Sequence, residues 1–169
     1  MIEKYKRLVF IILTTVLLSV SLIFIDIWIL PKDKTDDTIV SYSQVMGRTG
    51  SKFSRGSKYV VCFKFYTKKG FEFSTEDTFV DENNIIIKRS LIFKTITSVS
   101  SETEDYSEKL TSGLNGGCLW FIIVLAISTT ISLLTLSFYI DLSENGFLNI
   151  IMFNSLILFY ALYLFAVYN

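Results

Sequence analysis

Residues 8–30 read LVFIILTTVLLSVSLIFIDIWIL, and Asp26 is the one charged side chain in this run. A helix needs about 20 apolar residues to cross the hydrocarbon core of a bilayer, so the run is long enough. Two later runs, residues 118–140 and 147–168, have similar length and no charged residue. The sequence therefore predicts three membrane-spanning helices.

The rest of the chain divides naturally around these runs. The 16 basic and 16 acidic residues cancel, and most of them lie in the polar middle of the chain. We predict an N-terminal tail and first helix at residues 1–30, an extramembrane β domain at 31–100 and an acidic, glycine-containing linker with a short helix at 101–117. The second helix follows at 118–140, a tight loop at 141–146 and the third helix at 147–169.

Strand patterning in the middle region is clearest at residues 57–67, which read SKYVVCFKFYT. Its side chains fall on two faces with a period of two, and aromatic and β-branched residues are frequent, as in a strand. One face would carry Tyr59, Val61, Phe63 and Phe65. The turn sequence Lys68-Lys69-Gly70 follows, so residues 57–75 predict a hairpin.

Three further strands are predicted at residues 38–46, 85–89 and 92–100, with a loop at 81–84. The predicted core consists of seven apolar side chains: Phe63, Phe65, Phe71, Phe73, Ile85, Ile87 and Phe93. The fold class is thus an α+β membrane protein, with three transmembrane helices and a small antiparallel β domain inserted between helices 1 and 2.

The orientation is predicted from the positive charge before the first run. Lys4, Lys6 and Arg7 precede it, which favours a cytoplasmic N-terminus and a β domain outside the cytoplasm. The reverse orientation would place Lys32 and Lys34 inside. The run exceeds the length of a signal-peptide core and no small-residue cleavage site follows, so we interpret it as a retained anchor.

Residue types needed for common enzyme chemistry are absent from the sequence. The chain has no histidine and two cysteines, Cys62 and Cys118, which excludes Ser-His catalysis and the usual zinc sites. No phosphate-binding loop occurs, and the three pairs of adjacent carboxylates are predicted to lie in loops. We expect no enzyme activity, no cofactor and no metal. The cysteines are expected to be free thiols, with a disulfide as the alternative.

A basic segment, residues 47–56, joins the first two predicted strands. Arg48, Lys52 and Arg55 flank Phe53 there, and together they could contact lipid headgroups or an acidic partner surface. The alternative is a loop with solvated charges. The domain carries no basic surplus, so we expect no nucleic-acid binding.

Hydroxyl and amide side chains in the apolar runs predict close helix packing. The candidates are Thr15, Ser19, Ser128, Ser132 and Asn154. At 1.5 Å per residue, Asn154 would share a depth with Ser132 and Thr15, so its amide should hydrogen-bond one of them. A transport pathway is the alternative, because Asp26 is ionisable and lies inside a span; its position near Trp28 instead lets it reach the interface.

Two stretches resemble small uncharacterised bacterial membrane proteins of the DUF3592-like type: Thr38-Ile-Val-Ser-Tyr42 and the hairpin from Tyr59 to Phe73. The resemblance covers residues 1–140. It departs at the end of the β domain, where Arg89-Ser-Leu-Ile-Phe93 replaces a Tyr-Asp-Pro sequence. The resemblance implies an anchor helix, a short β domain and further helices in a bacterial inner membrane, and no established activity.

The predicted function is a non-enzymatic, membrane-anchored module that docks to another envelope or membrane protein. Its expected partners are membrane lipids and a protein partner or a second copy, with no small-molecule substrate evident. Two alternatives stay open. One is a toxin-immunity or defence-associated membrane protein, and the other is a subunit of a channel or transporter complex.

Overall fold

The computed structural model describes residues 2–48, 57–138 and 142–168. Within these residues the fold is α+β, with three long helices and an antiparallel sheet. The chain divides into two compact units. A helical unit comprises Met1–Ile29 and Gly117–Val167, and a β unit is formed mainly by Leu30–Gly116.

The helices agree closely with the predicted runs. Helix α1 covers Ile2–Phe24 and continues as a π-helical turn at Ile25–Ile29; α2 covers Gly116–Phe138 and α3 covers Glu144–Tyr168. Each is long and apolar enough to cross a membrane. Helix α3 begins before residue 147 because the Ser143 hydroxyl accepts a hydrogen bond from the Gly146 N–H at 3.1 Å. This is an N-cap, and it shortens the predicted loop.

Packing inside the helical unit involves all three helices. Leu13 of α1, Leu136 of α2 and Phe147 of α3 form a buried cluster. Most of the remaining apolar surface is exposed; in the apolar window of α1, 11% of residues are buried. Asp26 is fully buried in the π-helical turn; that it reaches the membrane interface stays a prediction.

Five strands form one sheet within the described residues, in the order β3-β2-β1-β4-β5. Their bounds are β1 Asp33–Arg48, β2 Lys58–Thr67, β3 Glu72–Glu76, β4 Asn84–Arg89 and β5 Ile96–Ser100. The central strand β1 is the longest. Its first part, from Asp33 to Thr38, pairs with β4, and its second part, from Ile39 to Arg48, pairs with β2.

Strand β1 begins five positions earlier than predicted, at Asp33. The first part of β1 is rich in charged residues, so the sequence did not predict it as a strand. In the structure these charged side chains contact neighbouring strands and stabilise the sheet. The Arg89 guanidinium lies 2.8 Å from the Asp33 carboxylate, opposite it in the register, and covers the Phe71 ring at 4.3 Å. Asp37 is buried and accepts hydrogen bonds from the backbone N–H groups of Thr38 and Lys69, so it fixes the β2–β3 turn.

The core lies on one face of the sheet. Phe65 and Phe73 are opposite each other in the register, are fully buried, and stack with ring centroids 5.1 Å apart. The other buried members are Val80, Ile85, Ile87, Val99, Tyr106 and Leu110. Phe63 and Phe71 pack against this cluster at half burial. The predicted hairpin and most of the predicted core are therefore correct.

The prediction that Phe93 belongs to the core is wrong, because its side chain is 37% exposed. The predicted strand at residues 92–100 begins only at Ile96. The backbone N–H of Ser90 donates to the Thr95 carbonyl at 2.9 Å, and Lys94 adopts a positive φ of 56°. This closes a turn over residues 91–94, which removes Phe93 from the alternating register.

The prediction that residues 101–115 form only a linker is also wrong, because this segment packs on the core. Tyr106 and Leu110 from this segment are buried in the core cluster, and a 3-10 helix covers Ser107–Lys109. The Thr111 N–H donates to the Ser74 carbonyl at 2.9 Å. The segment thus packs on the sheet and completes the β unit.

Replacing Phe65 with alanine should cost about 3–5 kcal/mol of unfolding free energy, because it opens a cavity in the buried core. We expect rapid protease digestion of the β unit in the detergent-solubilised full chain. Tyr59→Ala, in the same strand but half exposed, is the matched control and should retain resistance. Equal resistance of both variants would contradict the burial of Phe65.

Candidate functional site

The helical unit contains a buried polar cluster around Asn154 of α3. The Asn154 carbonyl oxygen accepts from the Ser128 hydroxyl at 3.0 Å. Its Nδ2 donates to Ser132 Oγ at 2.8 Å and to the Ile150 carbonyl at 2.8 Å. Thr129 is fully buried, with its hydroxyl 3.4 Å from the same amide oxygen. The cluster satisfies the polar groups of Asn154, so it links α2 to α3.

The predicted hydrogen bond between Asn154 and Ser132 is therefore present, while Thr15 does not take part. Thr15 and Ser19 are exposed, and each hydroxyl donates to a backbone carbonyl four residues earlier in α1. This back-bonding satisfies a hydroxyl without a neighbouring helix. Thr129 was missed by the sequence analysis, because its burial depends on the rotation of α2 about its own axis.

The second feature is the end of the β1–β2 pair that lies next to Arg48 and Lys58, where the neighbouring strands β3 and β4 no longer pair with it. Strand β4 pairs with β1 only up to Thr38, and β3 pairs with β2 only from Cys62 to Tyr66. We call Val40–Arg48 together with Lys58–Val61 the ribbon. The outer edge of its β1 portion has no partner strand within the described residues, so backbone donors and acceptors are available there.

The ribbon carries exposed apolar side chains on both of its faces. Tyr42 meets Phe79 edge to face, with centroids 4.8 Å apart, and Phe63 meets Phe79 at 5.4 Å. Tyr42, Tyr59 and Val61 are 53%, 50% and 41% exposed. The tightest point is Gly47, where a Cβ would lie 2.6 Å from the Tyr59 ring. We call Tyr42, Phe63 and Phe79, which meet on the core side of the sheet, the aromatic face. A bulge in the β1–β2 register between Val45 and Met46 turns Tyr59 and Val61 to the Gly47 side.

Basic side chains end the ribbon. Arg48 and Lys58 are exposed and directly opposite each other in the register, and like charges in that position repel. The other predicted contact residues, Lys52, Phe53 and Arg55, lie outside the described residues. The described end of the ribbon thus combines positive charge with aromatic and aliphatic surface.

The carboxylate pairs and the two thiols form no group with the geometry of a reactive or metal-binding site among the described residues. Of the carboxylate pairs predicted in loops, Asp36 and Asp37 lie instead in β1. Both cysteines are free thiols. Burial raises the pKa of the Cys62 thiol, and Lys64 offsets part of that shift. In the described part of the chain, no group of three potential metal ligands occurs.

Comparisons with protein-family models, with curated proteins and with solved structures give no match for this chain. The ribbon, the helices and their chemistry are therefore the features from which the function is inferred.

Asn154→Leu should weaken α2–α3 packing by about 0.6–1.7 kcal/mol, which are the average and the maximum measured for hydrogen bonds between membrane helices. Steric trapping or denaturant unfolding in bicelles would measure it. Thr130→Val is the control, because the Thr130 hydroxyl bonds only the Ala126 carbonyl of its own helix. If Ser132→Ala and Asn154→Leu have fully additive effects, the two side chains are not coupled.

Proposed function

We propose that this protein is a non-enzymatic, membrane-anchored docking module whose ribbon binds another envelope or membrane protein. The observation that carries the proposal is the exposed aromatic face, which continues the buried core beyond the last residues that cover it. A small domain gains no stability from leaving such side chains in water, and contiguous exposed apolar surface is typical of binding sites.

The chemistry of the ribbon defines the partner. An acidic group on the partner would relieve the repulsion between Arg48 and Lys58, and apolar side chains would cover the aromatic face. An extended segment could also pair with the open edge of β1, because edge strands bind peptides by adding a strand. We therefore propose a partner protein that presents an acidic and apolar segment.

Membrane insertion of all three helices is the second part of the proposal. Their length and apolar composition support it, as does the large exposed apolar surface of α1. The basic residues before α1 support a cytoplasmic N-terminus and a β unit outside the cytoplasm. In a bacterial host, the expectation from the resemblance to the DUF3592-like type, this is the inner membrane.

Docking is tested by affinity capture from native membranes in mild detergent. We expect the wild-type chain to retain a defined partner, and Tyr42→Ser/Arg48→Glu to capture at least tenfold less of that partner. Lys68→Glu is the matched control, since Lys68 is exposed in the turn at the other end of β2, and it should retain the partner.

Two outcomes would overturn the docking proposal. One is equal capture by the ribbon variant and by Lys68→Glu while the variant keeps its protease resistance. The other is loss of binding that occurs only with anionic phospholipid vesicles, which would make the ribbon a lipid-binding surface. Ion flux through vesicles containing this chain alone would favour a channel subunit.

Orientation is tested by labelling introduced cysteines in intact cells or spheroplasts. Lys58→Cys in the ribbon should react with an impermeant maleimide before permeabilisation, because the β unit is proposed to lie outside. Glu144→Cys, at the start of α3, should react only afterwards. The wild-type chain measures the background from Cys62, and the opposite labelling pattern would reverse the orientation.

A further inference from the structure

Helix α3 carries two kinds of asparagine. Asn154 is buried and hydrogen-bonded inside the helical unit. Asn149 is exposed, and within the described part of the chain its carboxamide has no hydrogen-bond partner. The contrast matters because the two amides lie five residues apart in one helix, yet only Asn154 has hydrogen-bond partners among the described residues.

The depth of Asn149 makes this exposure costly, given the proposed membrane insertion. The apolar span of α3 covers Glu144–Ala166, so its midpoint is Ser155. Asn149 lies six residues before it, which is about 9 Å along a helix. The hydrocarbon core extends about 15 Å to each side of its centre. The carboxamide therefore lies among lipid chains, where an unsatisfied polar group costs several kcal/mol.

Asn149 belongs to a continuous exposed seam. Residues with the spacing 4-3-4-3-4 follow one side of α3: Asn145, Asn149, Met152, Leu156, Phe159 and Tyr163. All are exposed, Met152 at 69% and Phe159 at 65%. This is the heptad spacing of two helices packed side by side. The buried residues of α3 that meet the other helices, Asn154, Ile157 and Ala161, lie on the opposite side.

We infer that α3 binds α3 of a second copy along this seam, with Asn149 paired to Asn149 of that copy. The inference rests on the proposed membrane insertion. Copies inserted in one orientation are related by an axis along the membrane normal, so each residue meets its own counterpart at the same depth. A carboxamide is both donor and acceptor, so it is complementary to itself. One asparagine in such a seam also fixes the register of the two helices.

A matched pair of variants tests the role of Asn149. In a background with Cys62→Ala and Cys118→Ala, Glu108→Cys carries donor or acceptor dyes, and energy transfer is followed against the protein-to-lipid ratio in phosphatidylcholine vesicles. Asn149→Leu should weaken dimerisation roughly three- to twenty-fold. Asn149→Leu/Leu162→Asn should not restore it. This control keeps the composition and places a carboxamide at nearly the same distance from the midpoint, but off the seam.

Cross-linking tests the geometry. In the same background, Met152→Cys on the seam should form a disulfide-linked dimer on mild oxidation, and Leu162→Cys, 60% exposed in the wild type but off the seam, should form at least fivefold less. Equal cross-linking of the two, or dimerisation of Asn149→Leu at the wild-type ratio, would overturn the inference.

Alkaline carbonate extraction separates this inference from the proposed insertion. A chain that carbonate removes from vesicles is not inserted, and both proposals then fail. A chain that stays in the vesicles as a monomer at every protein-to-lipid ratio leaves the membrane proposal standing and refutes the α3 dimer alone.

Discussion

The pairing of β1 with two different neighbours is the constraint on which the β unit depends. Strand β4 holds its first part and β2 its second, so no single neighbour covers the full length. Where three strands overlap, one face is wide enough to carry a packed core. Where β1 and β2 continue alone, the same face has nothing to cover it. The stagger of the strands thus produces both the stable core and the exposed aromatic face.

Residues 101–115 decide where the covered part ends. Tyr106 and Leu110 lie on the core beside Phe65 and Phe73, and burial of such side chains supplies most of the stability that a small domain has. Burial also raises the pKa of the Tyr106 hydroxyl, in keeping with its enclosed position. Past this segment the sheet face is open, and the aromatic contacts of Tyr42 with Phe79 continue on its outer side.

Given the proposed membrane insertion, a different constraint governs the helical unit, because its polar groups then have no water to bond. The hydroxyls of α1 solve it locally by bonding to their own backbone, as Thr15 and Ser19 do. Asn154 solves it across α2 and α3 through Ser128 and Ser132. Among the described residues Asn149 has neither solution, and for this reason α3 is the helix through which we propose self-association.

Much of this architecture could be predicted from the sequence, because it depends on local patterns. Apolar runs of sufficient length predicted the three helices, and period-two alternation predicted the β2–β3 hairpin with Phe65 and Phe73 in the core. Depth along a helix follows from residue number, which is why the bond between Asn154 and Ser132 could be predicted. The candidate function remained a hypothesis, since no residue pattern in the chain specifies a partner.

Other features were decided only by the tertiary structure, because they depend on which elements meet. The first part of β1 is charged and reads as a loop until Arg89 and the β2–β3 turn bind its carboxylates. The acidic residues 101–115 have the composition of a linker, and only the tertiary structure shows that Tyr106 and Leu110 are buried in the core. Tyr59 and Val61 share the period-two spacing of Phe65 in the sequence, yet they are exposed because a bulge in the β1–β2 register turns them away from the core face and β3 ends before it reaches them. Sequence alone determined which residues can form helices and strands and face the same way; the overlap of strands determined which of those faces are covered.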